Sequence, residues 1–291
     1  MITIAHLSDL HFAPLPKVAA QKLISKRILG YLSWHRKRKH EHRTEVLDAL
    51  LNDLKADQPD HICVTGDLTN IALGGEFETA RHWLLQAGPA DHISIIPGNH
   101  DAYVAGALEE GLPKWAEWVT GDDGRMGFPY LRRRGKLSII GTSSAVATLP
   151  AMASGRLGEK QLMALEALLN AEHQAGQFTL IMIHHPPQPG AESPRKALSD
   201  AKAFRAMIAH SGAGLILHGH THRALKASIK GPDGPVPILG CGSSSSIGSH
   251  KGPGHYYRLT IDPSAKSDGI RVEHRHYDAT KKAFFPSNAL H

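Results

Sequence analysis

Residues 2–11 read Ile2-Thr3-Ile4-Ala5-His6-Leu7-Ser8-Asp9-Leu10-His11. An apolar run of strand length ends in an aspartate and a histidine two residues apart. Four further stretches repeat the plan. Residues 62–64 run into Gly66-Asp67, and residues 93–96 into Gly98-Asn99-His100-Asp101. Residues 180–183 run into His184-His185, and residues 215–217 into Gly219-His220-Thr221-His222. Short apolar runs read as buried strands. Five strand ends carrying Asp, Asn or His predict one site along one sheet edge. Their donor types predict a metal site and hydrolytic chemistry.

Working outward, segments of helical period lie between the runs, at 17–34, 41–54, 76–86, 159–172 and 200–210. Residues 137–140 add a strand. After His222 the pattern changes to strands alone, at 224–229, 236–239, 256–261 and 270–277, with Gly231-Pro232-Asp233-Gly234 as a hairpin turn. Alternation followed by a run of strands predicts an α/β fold with mixed sheets. No repeat or linker divides the chain, so residues 1–278 are read as a single domain. Residues 240–248, GCGSSSSIG, read as a flexible loop, and 279–291 as a loose tail.

Composition narrows the function classes. The chain has 291 residues, 41% of them hydrophobic, enough for a large core. No apolar run approaches the roughly 18–20 residues that span a bilayer. The start lacks the pattern of a signal peptide. Two cysteines, Cys63 and Cys241, suit a reducing compartment, and the expected location is the cytoplasm. The net charge of +6 is local: residues 17–45 hold nine Lys or Arg against two Glu, a net of +7. The rest of the chain holds 24 cations against 25 acids, a net of −1. One basic segment is indicated rather than a basic fold, and no nucleic-acid partner is expected.

The strand-end residues supply seven donors: Asp9, His11, Asp67, Asn99, His184, His220 and His222. Mixed nitrogen and oxygen donors suit Mn, Fe or Zn. Seven is too many for one four-coordinate ion and suits two ions sharing the two oxygens of Asp67. Gly66, Gly98 and Gly219 precede ligands where the chain turns sharply. Singly, each block has a plain structural reading, as a turn or a strand-end pair. The order and placement of all five make independent accident untenable.

These residues resemble the calcineurin-like metallophosphoesterase superfamily, whose pattern is D-x-H, G-D, G-N-H-D or G-N-H-E, H, and G-H-x-H. All five blocks are present across residues 9–222. The G-N-H-D and H-H-P-P forms are most similar to bacterial class III cyclic nucleotide phosphodiesterases and glycerophosphodiesterases. The resemblance implies two mixed β-sheets packed as a sandwich and flanked by helices, a four-layer α/β/β/α fold. It implies one ion on Asp9, His11, Asp67 and His222, and a second on Asp67, Asn99, His184 and His220. It implies His100 as the catalytic histidine at the phosphoryl or leaving group, and Asp101 as its partner through a ring-nitrogen hydrogen bond. His185 becomes a supporting or pocket residue. The chemistry implied is in-line attack by a hydroxide shared between two divalent ions, on a small or cyclic phosphodiester. Arg223, Ser244 and Arg195 are further pocket candidates by their nearness to the blocks.

The basic segment 17–45 sits between the first two blocks. On a helical wheel Leu23, Ile24, Ile28, Tyr31, Leu32 and Trp34 fall on one side, opposite Lys22, Lys26, Arg36 and Lys37. One reading packs that apolar side on the sheet, with the cations in water. Another lays the segment on an anionic membrane surface, peripheral to the inner membrane, or against an acylated substrate. Similar basic insertions occur in the metal-dependent enzymes that cut the pyrophosphate of UDP-diacylglucosamine. The alternative function is therefore hydrolysis of a lipid-linked phosphoester or pyrophosphate.

Overall fold

A computed structural model describes residues 1–248, 252–265 and 269–287. Strand β1 (Ile2–Leu7) starts the first sheet and pairs in parallel with β2 (His61–Val64), which pairs in parallel with β3 (Ile93–Ile95). The second sheet holds β4 (Tyr130–Arg134), β5 (Leu137–Gly141), β6 (Phe178–Met182), β7 (Leu215–His218), β8 (Leu225–Lys230) and β9 (Pro235–Gly240). Its order is β4-β5-β6-β7-β9-β8, parallel from β5 to β9 with an antiparallel strand at each edge. Strands β10 (His255–Ile261), β11 (Ile270–Asp278) and β12 (Ala283–Ser287) complete the first sheet, each antiparallel to the strand before it from β1 outward, in the order β12-β11-β10-β1-β2-β3. The two mixed sheets are the α/β architecture the motifs implied.

Side-chain alternation builds the layers. In the second sheet Ile139, Leu180, Met182, Leu215, Leu217 and Leu239 join one core with Ile4, Leu7, Ile62 and Val64 of the first sheet. Their neighbours Ile140, Ile181, Ile183, Ile216 and Ile238 face the other way, into a core with Leu165, Leu169, Phe204 and Ile208. Each of these strands is therefore apolar on both faces, as a buried parallel strand must be. The helices that supply the outer layers are α1 (Arg27–Ser33), α2 (Lys39–Glu41), α3 (Thr44–Asp57), α4 (Gly74–Ala87), α5 (Ala107–Gly111), α6 (Glu159–Gln174) and α7 (Ala201–Ser211). Helix α3 packs against β12, α6 against β6 and α7 against β8.

Three expectations are corrected. Residues 283–287 of the supposed loose tail are an edge strand, because Phe284 alternates inward and packs its ring on Tyr256 and Tyr277. The rest of that tail, 288–291, lies outside the described residues. The serine loop is not flexible: Cys241 to Ser246 are buried, each serine hydroxyl finding a partner. The single helix expected over 17–34 is instead a 3-10 turn (Ala20–Leu23), α1, a π turn (Trp34–Arg38) and α2.

Its apolar side is also split: Leu23 and Tyr31 pack against the core. Trp34 is buried, but Ile24 is 85% exposed, Ile28 48%, Leu29 51% and Leu32 43%. The inner face is set by Gly30, whose backbone approaches Ile71 and Tyr103 so closely that a Cβ would lie 2.4 Å from Ile71 Cγ2. Lys26 and Arg27 flank it. Lys26 Nζ donates to Thr148 O and Met152 O, and Arg27 donates to Ile71 O and Ala72 O. With Gly30 turned inward, Ile28 and Leu32 fall on the opposite side of a helix of 3.6 residues per turn.

Candidate metal centre

The loops that leave β1, β2, β3, β6 and β7 converge at one end of the sandwich. They are laced together by backbone. Asp9 N donates to Gly66 O at 2.9 Å and His11 N to Asp67 O at 3.0 Å, so the β1–β2 ladder continues past the strands. Gly219 N donates to His184 O, and Ser244 N to Ser8 O. A Cβ at Gly98 would lie 2.2 Å from Asp67 Oδ1, and one at Gly219 1.8 Å from Ser8 Oγ. Those two glycines therefore serve close approach rather than the sharp turn expected; Gly66, at φ +100°, is the one of the three that turns.

The donors adopt costly backbone. Among the described residues nine non-glycine positions have positive φ, and five of them are Asp9, His11, Asp67, His220 and His222. Such conformations persist only where the surroundings enforce them, and they cluster at functional sites.

The structure brings all seven predicted donors together. Atoms of Asp9, His11, Asp67 and His222 lie within 4.8 Å of one another. His222 Nε2 is 3.0 Å from Asp9 Oδ1, and His11 Nε2 is 3.9 Å from both Asp9 Oδ1 and Asp67 Oδ2. On the other side of Asp67, His184 Nε2 stands 3.5 Å from Oδ2. Asn99 Oδ1 lies 3.2 Å from His184 Nε2 and 2.8 Å from His220 Nδ1.

Tautomers follow from the partners. His11 Nδ1 faces Thr69 O at 3.0 Å and His184 Nδ1 faces Thr65 O at 2.6 Å. A carbonyl only accepts, so both Nδ1 atoms carry hydrogen. In the neutral rings each Nε2 is then a lone pair aimed at the centre, the arrangement by which backbone carbonyls orient metal-bound imidazoles.

The donor set fits divalent cations. His220 Nε2 is buried without a hydrogen-bond partner, and Asp9 Oδ1 faces only histidine nitrogens, the nearest being His222 Nε2 at 3.0 Å. Leaving buried polar atoms unpaired is expensive, and a cation would satisfy them. Charge makes the same point. Burial alone would push the Asp67 carboxyl up, yet His184 and His100 hold it well below the carboxylate range. Burial would depress His184, but Asp67 raises it to about 9. Without a cation, the site offsets part of its carboxylate charge by protonating its own ligand.

His100 lies beside this centre. Its Nδ1 donates to Asn70 O at 2.6 Å, its ring stacks on Tyr103, and burial with the nearby Arg38 charge lowers it to about 3. Arg38 Nη1 and Nη2 lie 3.0 Å from Nδ1 and Nε2. The in-plane directions of those two nitrogens diverge, so the guanidinium lies over the ring rather than bonding along its edge. The expectation for Asp101 is corrected. Its carboxylate accepts from the backbone N–H groups of Asp67 (3.0 Å), Thr69 (2.8 Å) and Gly98 (2.8 Å), not from His100. It clamps the two ligand loops together, because it points back toward three strand-end amides. Burial and Asp67 raise it to about 7.

His185 turns away from the pocket, with Nδ1 on Ser144 Oγ and Nε2 donating to Ala153 O. Its ring supports His220 at 4.4 Å. The other three pocket candidates do not reach the pocket. Arg223 donates to Ala191 O in an exposed position, Ser244 is buried on His255 O, and Arg195 is exposed.

A pocket of about 290 Å³ opens over the centre, lined by Asp67, Asn99, His100, His220 and His222 and also by Lys37, Arg38, His42 and Lys196. Reading the blocks missed these four. His42 comes closest to the metal donors, within 4.8 Å of His11 and His222, and its Nδ1 lies 2.8 Å from Ser245 Oγ. The basic run at 36–39 was the only signal in the sequence.

Comparisons agree with this geometry. A sequence profile described as calcineurin-like phosphoesterase matches residues 2–224. A Synechococcus protein described as a probable cyclic nucleotide phosphodiesterase is 29% identical over 244 residues, covering 82% of this chain and 79% of its own. Among solved structures, a dimetal phosphatase from Danio rerio superposes with a TM-score of 0.58 at 12% identity, over 89% of this chain and 92% of its own. A purple acid phosphatase from yellow lupin gives 0.58 at 11% identity, over 98% and 52%. At these identities the two structures speak for the fold.

Proposed function

Because the chain belongs to the calcineurin-like phosphoesterase family, and is thus a metal-dependent phosphoric ester hydrolase, we propose that it is a dinuclear phosphodiesterase acting on a small or cyclic phosphodiester. The observation that carries the proposal is the convergence of acceptor atoms from Asp9, His11, Asp67 and His222 on one point. The relative described as a probable cyclic nucleotide phosphodiesterase supports the diester.

Asp9, His11, Asp67 and His222 would hold one divalent ion, and Asp67, Asn99, His184 and His220 the other. Such a pair supplies Lewis acidity and a nucleophile usable at neutral pH. The chain's own residues do the rest. His100 has committed its Nδ1 hydrogen to Asn70, so Nε2 is what it offers the ester. The phosphoryl anion beside it favours the protonated form, which can donate to a leaving alkoxide. Arg38 keeps its charge and neutralises ester oxygens without moving a proton. The Asp101 clamp holds the Asn99–His100 loop against Asp67.

A second reading is favoured by one observation. Lys37, Arg38 and Lys196 add three cations to the pocket against one further acid, Glu41. That surplus suits more than one phosphate, as in a lipid-linked phosphoester or pyrophosphate such as UDP-diacylglucosamine.

The test is a panel on Mn-reconstituted protein with Asp67→Ala beside it. It holds bis-p-nitrophenyl phosphate, p-nitrophenyl phosphate, cyclic AMP, 2′,3′-cyclic nucleotides, glycerophosphodiesters and UDP-diacylglucosamine. Hydrolysis of small diesters, lost in Asp67→Ala, is the expected result. Activity confined to UDP-diacylglucosamine would replace the first reading by the second.

A further inference from the structure

The exposed apolar residues of the insertion are not scattered. Ile28 and Leu32 are four apart on the outer side of α1, Leu29 sits at their edge, and Ile24 precedes them. Lys26 bonds Thr148 O and Met152 O, which brings the 148–152 loop against this segment; Leu149 in that loop is 76% exposed. Five of the nine large hydrophobic residues most exposed to solvent thus belong to two touching segments. No apolar cluster among the described residues includes Ile24, Ile28, Leu29, Leu32 or Leu149.

Cations surround that ridge. Arg36, in the π turn that follows α1, and Lys22, Lys37 and Lys39 are all exposed on the same segment. None of these four has an ion pair among the described residues. Four other cations of the segment, Lys26, Arg27, Arg38 and Arg43, are each held by a partner on the protein. Water is a poor solvent for the ridge, and acidic groups are lacking for its cations. An apolar row set in unpaired positive charge matches an interface with hydrocarbon beneath acidic headgroups.

The position matters as much as the composition. Both segments reach the pocket, the first through Lys37 and Arg38 and the second through Ala153, the residue that follows it. We infer that the α1 ridge with the 148–152 loop is a docking surface for an anionic lipid bilayer, placed at the rim of the metal pocket. Docking there brings the pocket mouth against the headgroup layer. This goes beyond the hydrolytic reading and does not depend on which ester is cut.

The experiment is flotation of the full chain with two kinds of vesicle, phosphatidylcholine alone and phosphatidylcholine containing phosphatidylglycerol. Binding is read without turnover, so it fails or succeeds separately from the phosphodiesterase proposal. The wild type should float with the anionic vesicles only, and less at about 1 M salt, where the Debye length is about 3 Å. The pair Ile28→Glu with Leu32→Glu should lower partition at least about tenfold while turnover of soluble bis-p-nitrophenyl phosphate stays unchanged. The pair Ile28→Ser with Leu32→Ser separates lost apolar insertion from added negative charge, and it should also weaken partition. Absence of wild-type binding at low salt would overturn the inference. So would equal binding of wild type and the serine pair. A wild-type dimer in sedimentation that the glutamate pair dissolves would assign the ridge to a second copy of the chain instead.

Discussion

The strand-end loops and the 17–45 insertion meet in one pocket, yet their residues got there under different constraints. In the loops, position and chemical type are tied. Asp9, Asp67 and His222 leave strand ends in positive-φ backbone and aim donors at one point. In the insertion, type says little about position. Lys26 and Arg27 turn inward to carbonyl oxygens, whereas Ile28 and Leu32 face solvent. Metal ligation demands particular atoms, so it leaves a pattern in the sequence. A surface segment must only satisfy its neighbours, and many residue types can do so.

The comparison can be broken most sharply at His100, where the two regions touch. His100→Ala should lower turnover by about 10²–10⁴-fold with metal content unchanged by elemental analysis. Wild-type turnover in a fully metallated variant would remove the catalytic role. Asp101→Ala probes the loops alone. Three backbone N–H groups lose a buried acceptor, and the expected cost is roughly 3 kcal/mol, read as a lower midpoint in urea. If stability is unchanged and only turnover falls, the original pairing with His100 would deserve revival.

Arg38→Ala probes the insertion's contribution to chemistry. It should reduce kcat/KM by about tenfold, with metal content retained. Arg38→Lys should recover only part of this, since an ammonium cannot lie flat on the imidazole. The smallest effect belongs to Gly30→Ala. A Cβ there meets Ile71 and Tyr103, so overpacking should cost about 1–3 kcal/mol in thermal stability, without loss of metal. A neutral outcome would mean that Gly30 does not set the insertion's inner face.

The α/β alternation, the run of strands after His222 and the meeting of the seven strand-end residues were legible before the structure, because burial and a shared site each restrict residue type. Three kinds of feature were not. Asp101 lies next to His100 in sequence, and adjacency suggested a pair; only the fold shows three amides waiting on its other side. The serine loop at 243–246 has a linker's composition, but its hydroxyls bond Asp9 O, His255 O and Glu41. The helical wheel of 17–34 has a clear apolar side, read either as packed on the sheet or as laid on a membrane surface. Gly30 splits that side, because a residue without a side chain marks the closest approach and a wheel gives it no weight.

The backbone at the donor positions has a consequence for how such a protein can change. Left-handed conformations at Asp9, His11, Asp67, His220 and His222 cost about 1 kcal/mol each, in a chain whose net stability is expected at about 5–15 kcal/mol. At His222, the least buried of the five, glycine would relieve the backbone with the least loss, whereas at Asp9 and Asp67 it would strip the acceptors of His220 N and His100 N. Compared free of metal, a His222→Gly variant should therefore outlast the active chain on heating. Mutation toward durability and mutation toward inactivity run in the same direction there, so that ligand persists only while its chemistry is needed.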